Sequence, residues 1–179
     1  MRLRRRPTPA VIVLVLIGVL AARRLFGPAE APIQSQFAEG PVEVARVVDG
    51  DTLLLRSGHR VRLIGIDTPE IEHEDRPAEP LGREASRFTA QLVGDGPVRL
   101  EFDRERRDQY HRLLAYVHLP DGRLLNEEIV RAGYSRAEVH YAFRSDRKRQ
   151  FLAAEEAAKA ERRGMWAMPD HHPTPISER

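Results

Sequence analysis

VEVARVVDGDTLLLRSGHRVRLIGI, residues 42–66, decides the fold. Leucines and β-branched residues recur with polar interruptions over Val42–Val48, Thr52–Arg56 and Arg60–Ile66, and Ser57-Gly58 supplies a hairpin turn. The pattern predicts three strands in a meander. The period then changes: over Leu81–Val93, Ala85, Phe88, Thr89 or Ala90, and Leu92 share a helical face, with Gly94 as the stop. Val98–Phe102 and Leu113–His118 read as two more strands, the latter turning at Pro120-Asp121-Gly122. Asn126 is expected to cap a short helix through Ile129 and Val130 that Gly133 ends. The last and longest helix runs from about Arg144 to Arg163 with Phe151 and Leu152 inward, after which Met165 and Trp166 fold back on the core. Five strands with a helix between the third and fourth, and three helices in all, give an α+β chain. Its order is that of a small closed barrel of the oligonucleotide-binding (OB) type.

The 179 residues fit one ordinary domain with extensions. With 41% hydrophobic and 31% charged residues, the chain can bury a core and stay soluble, which excludes wholesale disorder. The absence of cysteine excludes disulfide scaffolds, cysteine-type zinc clusters and thiol chemistry. Net charge is +2, but six of the 29 basic residues lie within the first 24 positions, whereas all 27 acids lie at Glu30 or beyond. Past residue 24 the balance is 23 basic against 27 acidic side chains, so any polyanion must be met at local sites.

Residues 1–24 read as a signal peptide or membrane anchor: four arginines, then the uncharged run AVIVLVLIGVLAA from Ala10 to Ala22. A helix of that length spans about 20 Å, short of the roughly 30 Å hydrocarbon core, which favours a cleaved signal. Arg23 and Arg24 directly after the run favour an anchor. In both cases the arginines place the remainder outside the cytoplasm, secreted or anchored to the membrane through residues 10–22. Residues 25–40 read as a linker, 41–167 as the domain and 168–179 as a mobile tail, in which His171 and His172 are solvated.

Two segments place carboxylates at strand ends, Val48-Asp49-Gly50-Asp51-Thr52 and the run Arg62 to Glu70 (RLIGIDTPE). Taken singly, each reads as a turn, because Asp-Gly is a favoured turn pair. Taken together, Asp51, Asp67 and the Thr68 carbonyl offer hard oxygen ligands suited to Ca²⁺ or Mg²⁺, with Glu70 as a third carboxylate close by. A third segment, Asp108-Gln109-Tyr110-His111-Arg112, sets an arginine just before a strand. Arg112 and Arg62 could hold a phosphate with two guanidinium forks. Five positions separate Arg62 from Asp67, so a regular strand would point them to opposite faces. They can meet one ligand only if the strand bends near Gly65.

From about Val42 to Trp166 the chain resembles the staphylococcal nuclease family, the thermonucleases. The resemblance is carried, in family order, by the Asp-Gly-Asp-Thr turn, the Arg62–Glu70 run, Gly82-Arg83-Glu84-Ala85, Asp108-x-Tyr110-x-Arg112, Asn126-Glu127 and Gly164-Met165-Trp166. It implies a five-stranded OB barrel with three helices, and Ca²⁺-dependent cleavage of DNA and RNA phosphodiesters; the chain is expected to act as a monomer. By position it makes Asp51 and Asp67 carboxylate ligands of calcium and Thr68 a main-chain ligand. It makes Glu70 the residue that activates water, and Arg62 and Arg112 the binders of the scissile phosphate. Asp108 and Tyr110 support that pocket, and Tyr141 matches a substrate-binding tyrosine. Release of the 5′-oxygen would leave a 3′-phosphate. The chain departs from the pattern in three places: His111 stands where glycine is usual, a second tyrosine of the substrate pocket falls near Val139, and the loop Ile71–Pro80 is acidic. The competing reading is a catalytically silent barrel that binds nucleic acid or protein at the cell envelope. Such relatives are expected to lose some of Asp51, Asp67, Glu70, Arg62 and Arg112, and this chain has all five.

Overall fold

The computed structural model describes residues 40–72 and 77–168. The leader, nearly all of the linker and the tail beyond Met168 lie outside the described residues. Among the described residues, no helix is long and apolar enough to cross a membrane.

Among the described residues, five strands and three helices follow in the order β1 (Val44–Val47), β2 (Thr52–Leu55), β3 (Arg60–Leu63), α1 (Gly82–Val93), β4 (Arg99–Arg107), β5 (Leu113–His118), α2 (Leu125–Arg131) and α3 (Ser145–Ala160). A 3₁₀ turn over Gly164–Ala167 closes the described chain. The sheet order is β1-β2-β3-β5-β4. β3 and β5 are parallel and all other neighbours antiparallel. Just before the two edge strands, Val42 and Val98 exchange both backbone hydrogen bonds, at 2.7 and 2.9 Å. That bridge joins one edge of the sheet to the other, which is consistent with the expected OB architecture.

Alternation fills the inside of the sheet. Leu53 and Leu55, Val61 and Leu63, and Leu113, Ala115 and Val117 are all buried, as a two-residue period requires. Tyr116 points out of the opposite face of β5, yet it too is buried, because α3 lays Phe151 against it. β5 is thus covered on both sides.

Four sequence expectations are corrected in detail. β3 ends at Leu63, because Gly65 turns the chain with φ of +75°. β4 runs to Arg107, five residues past the expected end, since its pairing with β5 resumes at Arg107 opposite Leu113 after an irregularity. Asn126 is not a cap but lies inside α2, fully buried. Its Oδ1 accepts the Val117 N–H at 3.0 Å and its Nδ2 donates to the Ile64 carbonyl at 2.9 Å, joining β5 to the end of β3. Leu152 is 42% exposed, because α3 buries Phe151, Ala154, Glu155 and Ala158, a face on which Leu152 does not lie.

Candidate active site

The turn between β1 and β2 is pressed against the segment that follows β3. Asp51 is buried, and its Oδ2 accepts the Thr68 N–H at 2.8 Å and the Thr68 hydroxyl at 3.1 Å. The approach is close enough to need glycine at position 50, where a Cβ would sit 2.5 Å from Thr68 Oγ1. From below, Thr89 of α1 donates to the Gly50 carbonyl at 2.7 Å. The Asp51 N–H donates to Asp49 Oδ1 at 3.0 Å, which folds a second carboxylate into the turn.

The bend at Gly65 turns Asp67 back toward Arg62, removing the opposition that a straight strand would impose. Arg62 Nη2 donates to Asp67 Oδ1 at 2.7 Å, and Nη1 donates to the Ile66 carbonyl at 2.7 Å and lies 3.2 Å from Asp51 Oδ2. One guanidinium therefore bridges two carboxylates. It does not neutralise the site: burial, helped by Asp51, Glu138 and Glu70 and opposed by Arg62, raises Asp67 to about 6. Burial together with the charges of Asp51 and Glu70 likewise raises Asp49 to about 6, against the hydrogen bond from the Asp51 N–H. These shifts express first the burial of the two carboxylates and second the repulsion of neighbouring carboxylates, both of which a bound cation would offset, and every donor in the set is a hard oxygen, so the residues fit Ca²⁺ or Mg²⁺. Among the described residues, no group of three or more His, Asp or Glu side chains is arranged as a metal cage.

Glu70 is fixed through its backbone. Its N–H donates to Glu79 Oε2 at 3.2 Å and its carbonyl accepts the Glu79 N–H at 2.9 Å. α1 begins against it, for a Cβ on Gly82 would lie 2.2 Å from the Glu70 carbonyl oxygen. Residues 73–76 of the acidic loop lie outside the described residues; at its start, Glu72 pairs with Arg83 at 2.7 Å.

On the other wall, Asp108 organises its turn. Its Oδ1 accepts the N–H groups of Tyr110 and Arg112, both at 2.9 Å, and its Oδ2 accepts Arg112 Nε at 2.6 Å. The Arg112 guanidinium lies 5.5 Å from the centre of the Tyr110 ring. His111 adopts φ of +62°, the left-handed region that glycine occupies at no steric cost. Arg62, Asp67, Asp108, Tyr110, Arg112 and Tyr141 all line one cleft of about 450 Å³. Asp51, Thr68 and Glu70 do not line it. Asp51 joins it through Arg62, and Thr68 through Asp51.

Three residues outside the sequence expectation belong to this site. Asp49 accepts the Asp51 N–H from within the Asp-Gly-Asp turn. Ser135, fully buried, accepts the Asp67 N–H at 2.8 Å from 68 positions away. Glu138, 8% exposed, adds its charge beside Asp67 and Arg62, and its N–H donates to the Gly65 carbonyl at 3.0 Å. No local pattern announces Ser135 or Glu138.

Clustered carboxylates around the Arg62 guanidinium, with the Arg112 guanidinium lining the same cleft, are the makings of a phosphodiester hydrolase. The chain belongs to the staphylococcal nuclease homologue family, whose model matches residues 60–168. A thermonuclease of Staphylococcus hyicus is 34% identical over 165 residues, covering 89% of this chain and 96% of that protein. A thermonuclease of Staphylococcus intermedius is 45% identical over 54% of this chain and 59% of its own length. The SPbeta prophage-derived endonuclease YokF of Bacillus subtilis is 37% identical over 70% of this chain, which spans less than half (44%) of it.

Proposed function

We propose that the protein is a Ca²⁺-dependent nuclease that hydrolyses phosphodiester bonds of DNA and RNA with little sequence preference, acting as a monomer. The observation that carries this reading is the placement of Arg62 and Arg112 on the walls of one cleft, with Asp67 beside Arg62. Asp51, Asp67 and the Thr68 carbonyl would hold the cation. When bound, Ca²⁺ supplies Lewis-acid charge that offsets the negative charge of the phosphate. Arg112, held in plane by Asp108, and Arg62, held by Asp67 and the Ile66 carbonyl, grip the phosphoryl oxygens and stabilise charge that grows in the transition state. Glu70 takes a proton from the water whose oxygen bonds to phosphorus. The bond from phosphorus to the 5′-oxygen breaks, the departing oxygen takes up a proton from solvent to become a 5′-hydroxyl, and a 3′-phosphate remains. Tyr110 supports the phosphate pocket beside Arg112, and Tyr141 binds the substrate. Residues 1–24 export the domain or hold it at the membrane, which fractionation of cells carrying the full chain, with and without that segment, tests directly.

The decisive experiment is cleavage of single-stranded DNA by purified protein. EGTA abolishes it and Ca²⁺ restores it. Glu70→Gln retains Ca²⁺ and nucleotide binding while turnover falls, on the order of 10²-fold or more for the loss of general-base catalysis. A Glu70→Gln protein that cuts at the wild-type rate overturns the mechanism. A folded wild type that binds Ca²⁺ and cuts nothing leaves the silent binding module.

A further inference from the structure

The residues after α2 carry an arrangement, Glu138 to His140 to Tyr141, of which the proposed mechanism uses only Tyr141. Glu138 is tied through its backbone to the Gly65 bend, and Lys148 Nζ donates to the Val139 carbonyl at 2.6 Å, so this stretch is fixed at two points beside the charged site. The Glu138 carboxylate is buried and lies 3.2 Å from His140 Nδ1. The His140 ring in turn rests on Tyr141, with ring centres 4.0 Å apart and planes at 39°. Tyr141 is 55% exposed and lines the cleft that also holds Arg62 and Arg112.

We propose that His140, held by Glu138, is a positioning residue that fixes Tyr141 as a stacking platform for a nucleobase. It takes the place of the second pocket tyrosine, whose position here is Val139. The argument rests on the nuclease reading and adds a residue to it. An exposed tyrosine with no neighbour on its ring samples several rotamers, and a base that stacks on it must first pay for ordering it. The imidazole lies against the Tyr141 ring, and more than half of the tyrosine stays exposed where it lines the cleft, accessible to a base. An aromatic pair of this kind adds stabilisation beyond buried area. Across the cleft, Tyr110 is backed in a comparable way by the Arg112 guanidinium. The ligand class that follows is a nucleotide whose phosphate reaches the arginines while its base lies on Tyr141, which requires an unstacked, single-stranded base.

The test separates the base from the phosphates. Calorimetry on the full chain with Ca²⁺ compares thymidine 3′,5′-bisphosphate with the base-free deoxyribose 3′,5′-bisphosphate, and the ratio of the two Kd values measures the contribution of the base. Tyr141→Ala brings that ratio close to one. His140→Ala lowers it about three- to tenfold, the range of an aromatic pair, with little change for the base-free probe. His140→Phe, which keeps a ring, restores most of it, and Glu138→Gln lowers it less than His140→Ala does. Should His140→Ala fail to fold, His140→Gln, which keeps a hydrogen-bonding side chain near Glu138 but loses the ring, gives the same reading. An unchanged ratio in the folded variant, or an equal loss for both probes, overturns the proposal. Failure of the wild type to bind either probe overturns the nuclease reading and this inference with it.

Discussion

Replacing Gly65 with alanine tests whether the bend at the end of β3 builds the site. Gly65 sits at φ of +75°, and a Cβ there would lie 2.8 Å from Phe143 Cζ and from Phe151 Cε2. Phe151 is fully buried between α3 and the sheet and cannot swing away freely. The left-handed backbone costs about 1–2 kcal/mol for a residue with a Cβ. Forcing a methyl into a packed core adds about 1–3 kcal/mol, so Gly65→Ala should lose roughly 2–5 kcal/mol. Gly58→Ala is the internal control: φ is +86°, but nothing lies within 4 Å of its Cβ, so only the backbone cost applies. Urea unfolding followed by circular dichroism reads both. With a slope of about 2 kcal/mol per molar, the Gly65 midpoint should fall about 0.5–1.5 M below that of Gly58→Ala. Because the bend sets the contact from Arg62 to Asp67, Gly65→Ala should also weaken Ca²⁺ binding under native conditions, and Gly58→Ala should not. Equal midpoints for the two variants, or undiminished Ca²⁺ affinity in Gly65→Ala, would refute the reasoning.

Local chemistry made part of this site legible in the sequence. Asp108 and Arg112 are four residues apart and meet in one turn, so a short motif contains its own contacts. The Asp49–Asp51 turn and the Arg62–Glu70 run are equally local, and Gly65 within the run supplied the bend that their joint use demands. Contacts across the chain left no such trace. Asn126 carries a residue type that caps helices, and its burial between Val117 and Ile64 follows from how α2 lies on the sheet. Arg104–Arg107 has no apolar alternation. Of these residues only Arg107 has a partner on β5, opposite Leu113, so the strand is extended by pairing that resumes past an irregularity and not by an apolar pattern. Leu152 is as apolar as a core residue, yet the buried face is set by Phe151, Ala154 and Ala158, whose spacing follows the helix period. Ser135 and Glu138 reach the site only because the segment after α2 is hydrogen-bonded to Gly65 and Asp67.

Three further perturbations separate stability from function. Asn126→Ala should cost about 2–5 kcal/mol, since it orphans the buried Val117 N–H and Ile64 carbonyl and opens a cavity; a thermal midpoint within a degree of wild type would contradict that accounting. His111→Gly should stabilise by about 0.5–1 kcal/mol in urea unfolding by removing a side chain from a left-handed position, and no gain would mean that His111 contacts offset the strain. Asp67→Asn carries the electrostatic argument. Its carboxyl is raised from 3.8 to about 6 by burial and by Asp51, Glu138 and Glu70, against the pull of Arg62. The folded state therefore holds a proton that the unfolded chain has lost between those values, and stability falls as pH rises through that window. In EGTA, the variant should match wild type near pH 4 and exceed it at pH 7.5. The side chain is 41% exposed, so solvent screening holds the gain to about 1 kcal/mol. Adding Ca²⁺ at pH 7.5 should reverse the order, because a ligand that binds only the folded wild type stabilises it by mass action. A variant less stable than wild type at pH 7.5 in EGTA would mean that the ion pair with Arg62 outweighs burial and repulsion. The dominance of burial and repulsion argued for the metal-free site would then be wrong.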